Sequence, residues 1–280
     1  PRPVRWEAKV DQGLGGVAVD LRRRPRSFAA QVPLGERGLW SPTFRPTADG
    51  SPVEYVIVTS AAMAPAFQVL ADWKTKKGVG AVVRTMEWIQ STYPNGVDRA
   101  EQLRFFLSDA YENWGTLWVL LGGDDGVVPV RYGTHTLTNS LERIPTDLYY
   151  SCLDGNWNGD GDAEFGEGVP PGHPIGGDGA DLLPEVYVGR APVSTAAAAA
   201  AFVSKTINYE KAVGASARYP SSALLLGEEL SPSSDGAEFC EDVRARLPTG
   251  MRTVRMYENY QSYPGSLPEI LEAVIAASAG

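Results

Sequence analysis

The sequence predicts an α/β fold: a mostly parallel sheet flanked by helices. Three observations carry the prediction. Short apolar runs rich in β-branched residues recur along the chain, as strands buried on both faces require. Between them lie segments whose apolar residues repeat at three and four positions, the helical period. The two kinds alternate, and strands that alternate with helices lie parallel in a sheet covered on both sides.

The elements follow in order from residue 53. Val53–Thr59 (VEYVIVT) reads as a buried strand. Residues 64–77 read as a helix with Phe67, Leu70 and Ala71 on one side, closed by Gly78 in the position where a left-handed residue ends a helix. Gly80–Thr85 is the next strand. Residues 98–114 form a helix through Leu103, Phe106, Leu107, Ala110 and Tyr111, and Leu117–Leu121 is the third strand. A loop-rich stretch covers 129–184. Glu185–Gly189 is a strand, and 194–212 is an alanine-rich helix with Ser194 as its cap. The pattern then restarts. Ser222–Gly227 and Thr253–Tyr257 are strands. Helices are expected at 235–247, capped by Asp235, and at 266–278, capped by Ser266 with Pro268 and Glu269 in the first turn. Residues 1–52 differ from all of this. They hold short alternating pieces and end in an extended linker over Ser41–Pro52.

Composition limits the function classes. Of the 280 residues 43% are hydrophobic, so a large core is available. The formal net charge of −9 argues against a nucleic-acid surface, which needs clustered Lys and Arg. The run Arg22–Arg24 with Arg26 reads as a solvated edge or linker. No apolar run approaches the roughly 20 residues of a membrane span. Two cysteines, Cys152 and Cys240, rule out a disulfide-rich scaffold but leave open one bridge or two thiols.

The sharpest local signal is Asn156–Glu167, NWNGDGDAEFGE. Oxygen-bearing side chains recur at Asn156, Asn158, Asp160 and Asp162, then at Glu164 and Glu167. Gly161 is sixth in the window, where a calcium loop turns sharply, and Glu167 is twelfth, where a bidentate carboxylate closes the shell. Asp154 opens an alternative frame two residues earlier. Calcium takes many hard oxygen ligands from a loop that can curl around it, and residues 154–167 supply them. The same segment also reads as a polar Asx-turn loop without a metal. Its flanks are not two helices, so a calcium site here is not an EF-hand.

Other candidates lie at strand ends, where open α/β sheets place their sites. Gly122-Gly123-Asp124-Asp125 ends the third strand, and its acids read either as cleft-lining groups or as solvated turn residues. Glu228 and Glu229 follow the strand 222–227 and read either as orienting carboxylates or as a charged strand end. The only histidines, His135 and His173, both fall in the loop-rich stretch. Nothing in the spacing brings either beside a cysteine, and Cys240 reads as a small hydrophobe in a helix. No zinc spacing, nucleophile elbow or phosphate-binding glycine loop is present.

Six segments taken together resemble the gingipain-type cysteine peptidases, peptidase family C25. They are VEYVIVTS (53–60), LADWKTKKGVGAVVRT (70–85), LRFFLSDAYENWGTLWVLLGGDDGVVP (103–129), TDLYYSCLDGNWNGDGDAEFGE (146–167), EVYVGRAPVST (185–195) and FVSKTINYEK (202–211). The resemblance implies a caspase-like α/β catalytic region with a first subdomain over 53–218 and the start of a second over 219–280. Residues 1–52 are then the end of a propeptide-like segment. It implies secretion or display at the cell surface, bound Ca2+, and hydrolysis of protein or peptide substrates by a Cys–His dyad. That dyad is expected in the C-terminal remainder of the polypeptide, beyond Gly280, so the chain by itself is expected to lack a complete active site. Either Glu228 or Glu229 matches the carboxylate that orients the catalytic histidine. The competing expectation is a non-catalytic, calcium-stabilised module on the same fold.

Overall fold

The computed structural model describes residues 40–137, 140–168, 177–180, 183–212, 221–231 and 234–268. The chain divides into two compact units, Pro1–Lys205 and Thr206–Gly280.

The first unit is built on four parallel strands, β1 (Tyr55–Thr59), β2 (Ala81–Thr85), β3 (Trp118–Gly122) and β6 (Tyr187–Ala191), in the order β2-β1-β3-β6. Alternation along these strands sends side chains to two faces. Val56, Val58, Val119 and Leu121 meet Leu103, Phe106 and Leu107 of helix α3 (Arg99–Asp109) and Met86 and Ile89 of α2 (Met86–Thr92) in one core. On the other face lie helices α1 (Ala64–Lys76) and α5 (Ala196–Lys211), whose Phe67 and Phe202 rings stand 6.4 Å apart. The Phe67 ring approaches β3 so closely that a Cβ on Gly122 would lie 2.7 Å from it, so any larger residue there would displace the ring.

The element boundaries follow local chemistry. Gly78 ends α1 at φ +92°, as its position predicts. Asp98 caps α3 by accepting the Glu101 N–H at 2.9 Å. The helix expected to run from 98 to 114 is instead α-helical only to Asp109 and widens into a π-helical turn over Ala110–Trp114, ended by Gly115 at φ +79°. Helix α5 begins one residue later than expected: Thr195, not Ser194, supplies the capping oxygen, to the Ala198 N–H at 3.2 Å. Helix α2 starts directly at the end of β2, where the Thr85 hydroxyl accepts the Trp88 N–H at 3.2 Å. The stretch 129–184, expected to be loop, contains an antiparallel hairpin, β4 (Arg131–Leu137) with β5 (Ser140–Thr146), and a short helix α4 (Leu148–Ser151).

The linker ahead of β1 is anchored to this unit. Asp109, fully buried in α3, accepts the Thr43 N–H at 2.9 Å and its hydroxyl at 2.5 Å, the Tyr93 hydroxyl at 2.6 Å and the Asn113 amide at 2.7 Å. Arg45 donates to the Asn113 carbonyl at 2.9 Å. The π turn is what presents Asn113 and Trp114 to this segment.

The second unit carries a parallel sheet in the order β11-β10-β7, formed by β7 (Ser222–Gly227), β10 (Arg252–Tyr257) and β11 (Leu267–Pro268). Helix α6 (Gly236–Arg246) packs on it through Ala237 and Cys240 against Leu225 and Tyr257, and Asp235 caps the helix as expected, accepting the Ala237 N–H at 2.8 Å. A short hairpin, β8 (Glu229–Ser231) with β9 (Ser234–Asp235), joins β7 to α6. The helix expected from Ser266 does not start there: Leu267 and Pro268 pair with Met256 and Tyr257 as an edge strand, a place where a proline's missing N–H is tolerated. The rest of that predicted helix lies outside the described residues. Among the described residues no helix is long and apolar enough to cross a membrane.

Candidate functional site

Three places bear the chemistry the sequence singled out. The first is the acidic loop. Asp160, Asp162 and Glu167 each bring a carboxylate oxygen within 4.8 Å of the others. The loop curls by Asx turns: the Asn158 N–H donates to Asn156 Oδ1 at 3.1 Å, Asp162 to Asp160 at 3.3 Å and Glu164 to Asp162 at 2.6 Å. Gly161 takes φ +78° at the turn, as its sixth position predicts. A clasp closes the loop from outside. One oxygen of Asp178 accepts the Gly159 N–H, and the other accepts those of Gly166 at 2.7 Å and Glu167 at 3.2 Å.

Not all the expected ligands join the cluster. Glu164 turns to the hairpin, where it pairs with Arg143 and accepts the Thr134 hydroxyl at 3.0 Å. Asp154 is not in the cluster, and Asn156 uses its side-chain oxygen in an Asx turn. Asn158 donates to the Asp162 carbonyl at 3.0 Å, while its own side-chain oxygen is buried without a hydrogen bond. The Glu167 carboxyl is raised above the ordinary range, first by desolvation and then by the negative charges of Asp162, Asp160, Asp178 and Glu164. Three acids are thus held together, and among the described residues none forms an ion pair with them. The residues present fit a hard cation that takes oxygen ligands.

The second place is the carboxyl end of the first sheet. Thr59 Oγ1 donates to the Gly122 carbonyl at 2.5 Å. Asp124 closes the turn after β3: its carboxylate accepts the Val127 N–H at 3.2 Å and its carbonyl that of Val128 at 2.8 Å. It therefore reads as a turn cap, and Asp125 beside it is exposed.

The third is the end of β7. Glu228 and Glu229 are both exposed. The Glu228 carbonyl accepts the Gly236 N–H at 3.0 Å, and the Glu229 N–H donates to Glu258 at 2.9 Å. Strand end and helix start touch backbone to backbone. A Cβ on Gly227 would lie 2.7 Å from the Ala237 nitrogen, and one on Gly236 would lie 2.6 Å from the Glu228 oxygen. Both acids are thereby held at the carboxyl edge of the second sheet.

Neither cysteine stands as an accessible thiolate. Cys152 is fully buried at the end of α4. Cys240 donates to the Leu226 carbonyl at 3.1 Å, and burial, followed by Glu241 and Asp235, raises its thiol. The two form no disulfide. His135 lies on β4, but its side chain and all of His173 fall outside the described residues. Two functional-looking residues escaped the sequence reading, Asp178 and Arg190. The segment EVYVG marked β6, yet nothing local to either residue shows what it binds.

A parallel sheet flanked by helices is compatible with the caspase-like α/β fold. The model of peptidase family C25 matches residues 48–276, and the chain belongs to that family. No curated protein matches it. Among solved structures it is similar to a complex of the Porphyromonas gingivalis RgpB pro- and mature domains, at 18% identity over 73% of this chain and 42% of that one, with a TM-score of 0.48. It is also similar to dimeric latent PorU from the same organism, at 24% identity over 56% of this chain and 15% of that one, with a TM-score of 0.41. A third, described only as a protease, gives 22% identity over 64% of this chain and 33% of that one, with a TM-score of 0.40. The chain spans less than half the length of each.

Proposed function

We propose that this chain is the N-terminal part of the catalytic region of a secreted or surface-displayed calcium-binding cysteine endopeptidase. The observation that carries the reading is the family match, which runs through both units. Hydrolysis of a peptide bond by this class needs a thiolate and an imidazole in contact. The buried Cys152 and Cys240 are not that thiolate, and the dyad belongs to the C-terminal remainder of the parent. The chain's own contribution is a carboxylate. Glu228, at the end of the first strand of the second unit, would accept the ring N–H of the catalytic histidine, fixing its tautomer and favouring the imidazolium. We assign this role to Glu228 over Glu229, whose backbone is drawn into β8. Asp160, Asp162 and Glu167 would hold calcium, with the Asp178 clasp keeping the loop closed.

The test is a peptide-hydrolysis assay of the full-length parent in calcium and reductant. Glu228→Gln should cut kcat strongly with little change in melting temperature, while Cys152→Ala and Cys240→Ala should leave the chemistry intact. Wild-type rates in both Glu228→Gln and Glu229→Gln would remove the orienting role. A parent that binds calcium but hydrolyses nothing would instead be a non-catalytic module on the same fold.

A further inference from the structure

Between Asp162 and Glu167 the acidic loop carries Glu164 and Phe165, and both turn to the hairpin β4-β5. The Glu164 carboxylate accepts Arg143 Nε at 2.9 Å and the Thr134 hydroxyl at 3.0 Å. Thr134 on β4 and Arg143 on β5 are directly opposed across the hairpin, so one carboxylate staples a cross-strand pair. The Phe165 carbonyl accepts the Thr134 N–H at 2.8 Å. The Arg131 guanidinium stands 3.9 Å from the centre of the Phe165 ring.

Other contacts hold the two segments at their far ends. The first half of the loop is fixed to the core: Trp157, 4% exposed, meets the Tyr149 ring edge-on at 5.5 Å, and Arg104 donates to the Gly155 carbonyl at 2.6 Å. The base of the hairpin is fixed to the start of α3, where Arg131 donates to both oxygens of Asp98 at 2.8 and 2.9 Å. The second half of the loop closes on Asp178 and on the Trp157 carbonyl, which accepts the Gly166 N–H at 2.9 Å. It carries the three acids and, through Glu164 and Phe165, the middle of the hairpin. The stapling residue is also tied to one of the acids, since the Glu164 N–H donates to the Asp162 carboxylate at 2.6 Å. Like charges brought together disfavour the closed loop. A cation that binds only the closed form shifts the loop towards it.

We infer that Glu164 couples cation binding in the loop to the order of the hairpin, so that calcium at Asp160, Asp162 and Glu167 tightens the grip on Thr134 and Arg143. The inference rests on the calcium reading, and it makes the hairpin a calcium-responsive element of the first unit. Amide exchange of the full chain, with chelator and with millimolar calcium, reads the coupling directly. Calcium should slow exchange at Gly166 and Glu167, whose N–H groups bond to Asp178. It should slow Thr134 about tenfold, an ordinary size for coupling between sites, with the amides of β1 unchanged. In Glu164→Ala the two loop amides should still slow with calcium, and Thr134 should lose most of its response. Should that variant fail to fold, Arg143→Ala changes no loop residue and removes a side chain 59% exposed, and it should also lower the Thr134 response. A Thr134 response of wild-type size in whichever variant folds, or none in a wild type whose loop amides slow, overturns the coupling and leaves the calcium site standing. A wild type whose loop amides and calorimetric heats ignore calcium overturns the calcium reading and the coupling with it.

Discussion

The acidic loop at Asn156–Glu167 and the buried carboxylate of Asp109 treat negative charge in opposite ways. Asp109 is sealed from water and surrounded by donors: a backbone N–H, two hydroxyls and an amide. Its charge is answered within the fold, and it ties the entry segment at Thr43 to α3. Asp160, Asp162 and Glu167 lie at the surface and face one another, and no described residue forms an ion pair with them. A carboxylate answered inside the fold is a structural device. Carboxylates gathered at the surface repel one another, and the proposed calcium would relieve that repulsion. The Asp178 clasp sharpens the contrast, because it holds the repelling groups together through backbone N–H groups and not through a counter-charge.

The largest expected effect lies at the answered end. Asp109→Ala strands four donors of a closed network and should cost about 3 kcal/mol of stability, equally with and without calcium. A urea-melt midpoint unmoved from wild type would break the contrast at once. A second answered acid tests it by pH. Burial would raise the Glu241 carboxyl, but hydrogen bonds from Arg255, Arg244 and Tyr257 outweigh it and hold the group at about 2, against 4.5 for an ordinary glutamate. A depressed folded-state pKa stabilises above the unfolded value, so this contribution is lost as pH falls from about 4.5 towards 2. An acid titration of melting temperature should be flatter in Glu241→Gln across that interval.

Glu167 should show the reverse sign. Its carboxyl is raised, so the metal-free fold favours the protonated form. Its contribution is present below 4.5 and is lost as pH rises through the higher folded-state value. Calcium, which binds the ionised form, should cancel that loss. The check is a melting curve against pH with chelator and with millimolar calcium. Parallel profiles would mean that no cation meets these acids.

How much of this was legible in the sequence depended on range. The strands Tyr55–Thr59 and Ser222–Gly227, the Gly78 stop and the Asp235 cap are set by neighbours a few residues away, and they stand where the pattern put them. The calcium-loop spacing is equally local, and it brought Asp160, Asp162 and Glu167 together. It could not show that Glu164 would be taken by Arg143, because that contact depends on a hairpin whose strands find each other only in the folded sheet. The hairpin itself, interrupted by Gly133 and Pro145, has too little alternation to announce it. Asp178 was invisible for the same reason: its partners are the backbone N–H groups of Gly159, Gly166 and Glu167, and backbone groups carry no residue signature. The segment 41–52 read as a linker because its composition is that of one, while the buried acid that pins it sits 66 residues further on.

The smallest effect in energy is the most direct test. Calorimetric titration of calcium into the wild-type chain, and into Asp160→Ala, asks whether the unanswered acids await a cation. We expect saturable heat in the wild type, with a dissociation constant of about 10⁻⁴ to 10⁻³ M as for extracellular sites. A matching rise in melting temperature follows by mass action, and both should be lost in Asp160→Ala although that variant folds normally. Equal calcium heats in the two proteins, or none in either, would contradict the calcium site and leave the loop as an Asx-turn scaffold held shut by Asp178.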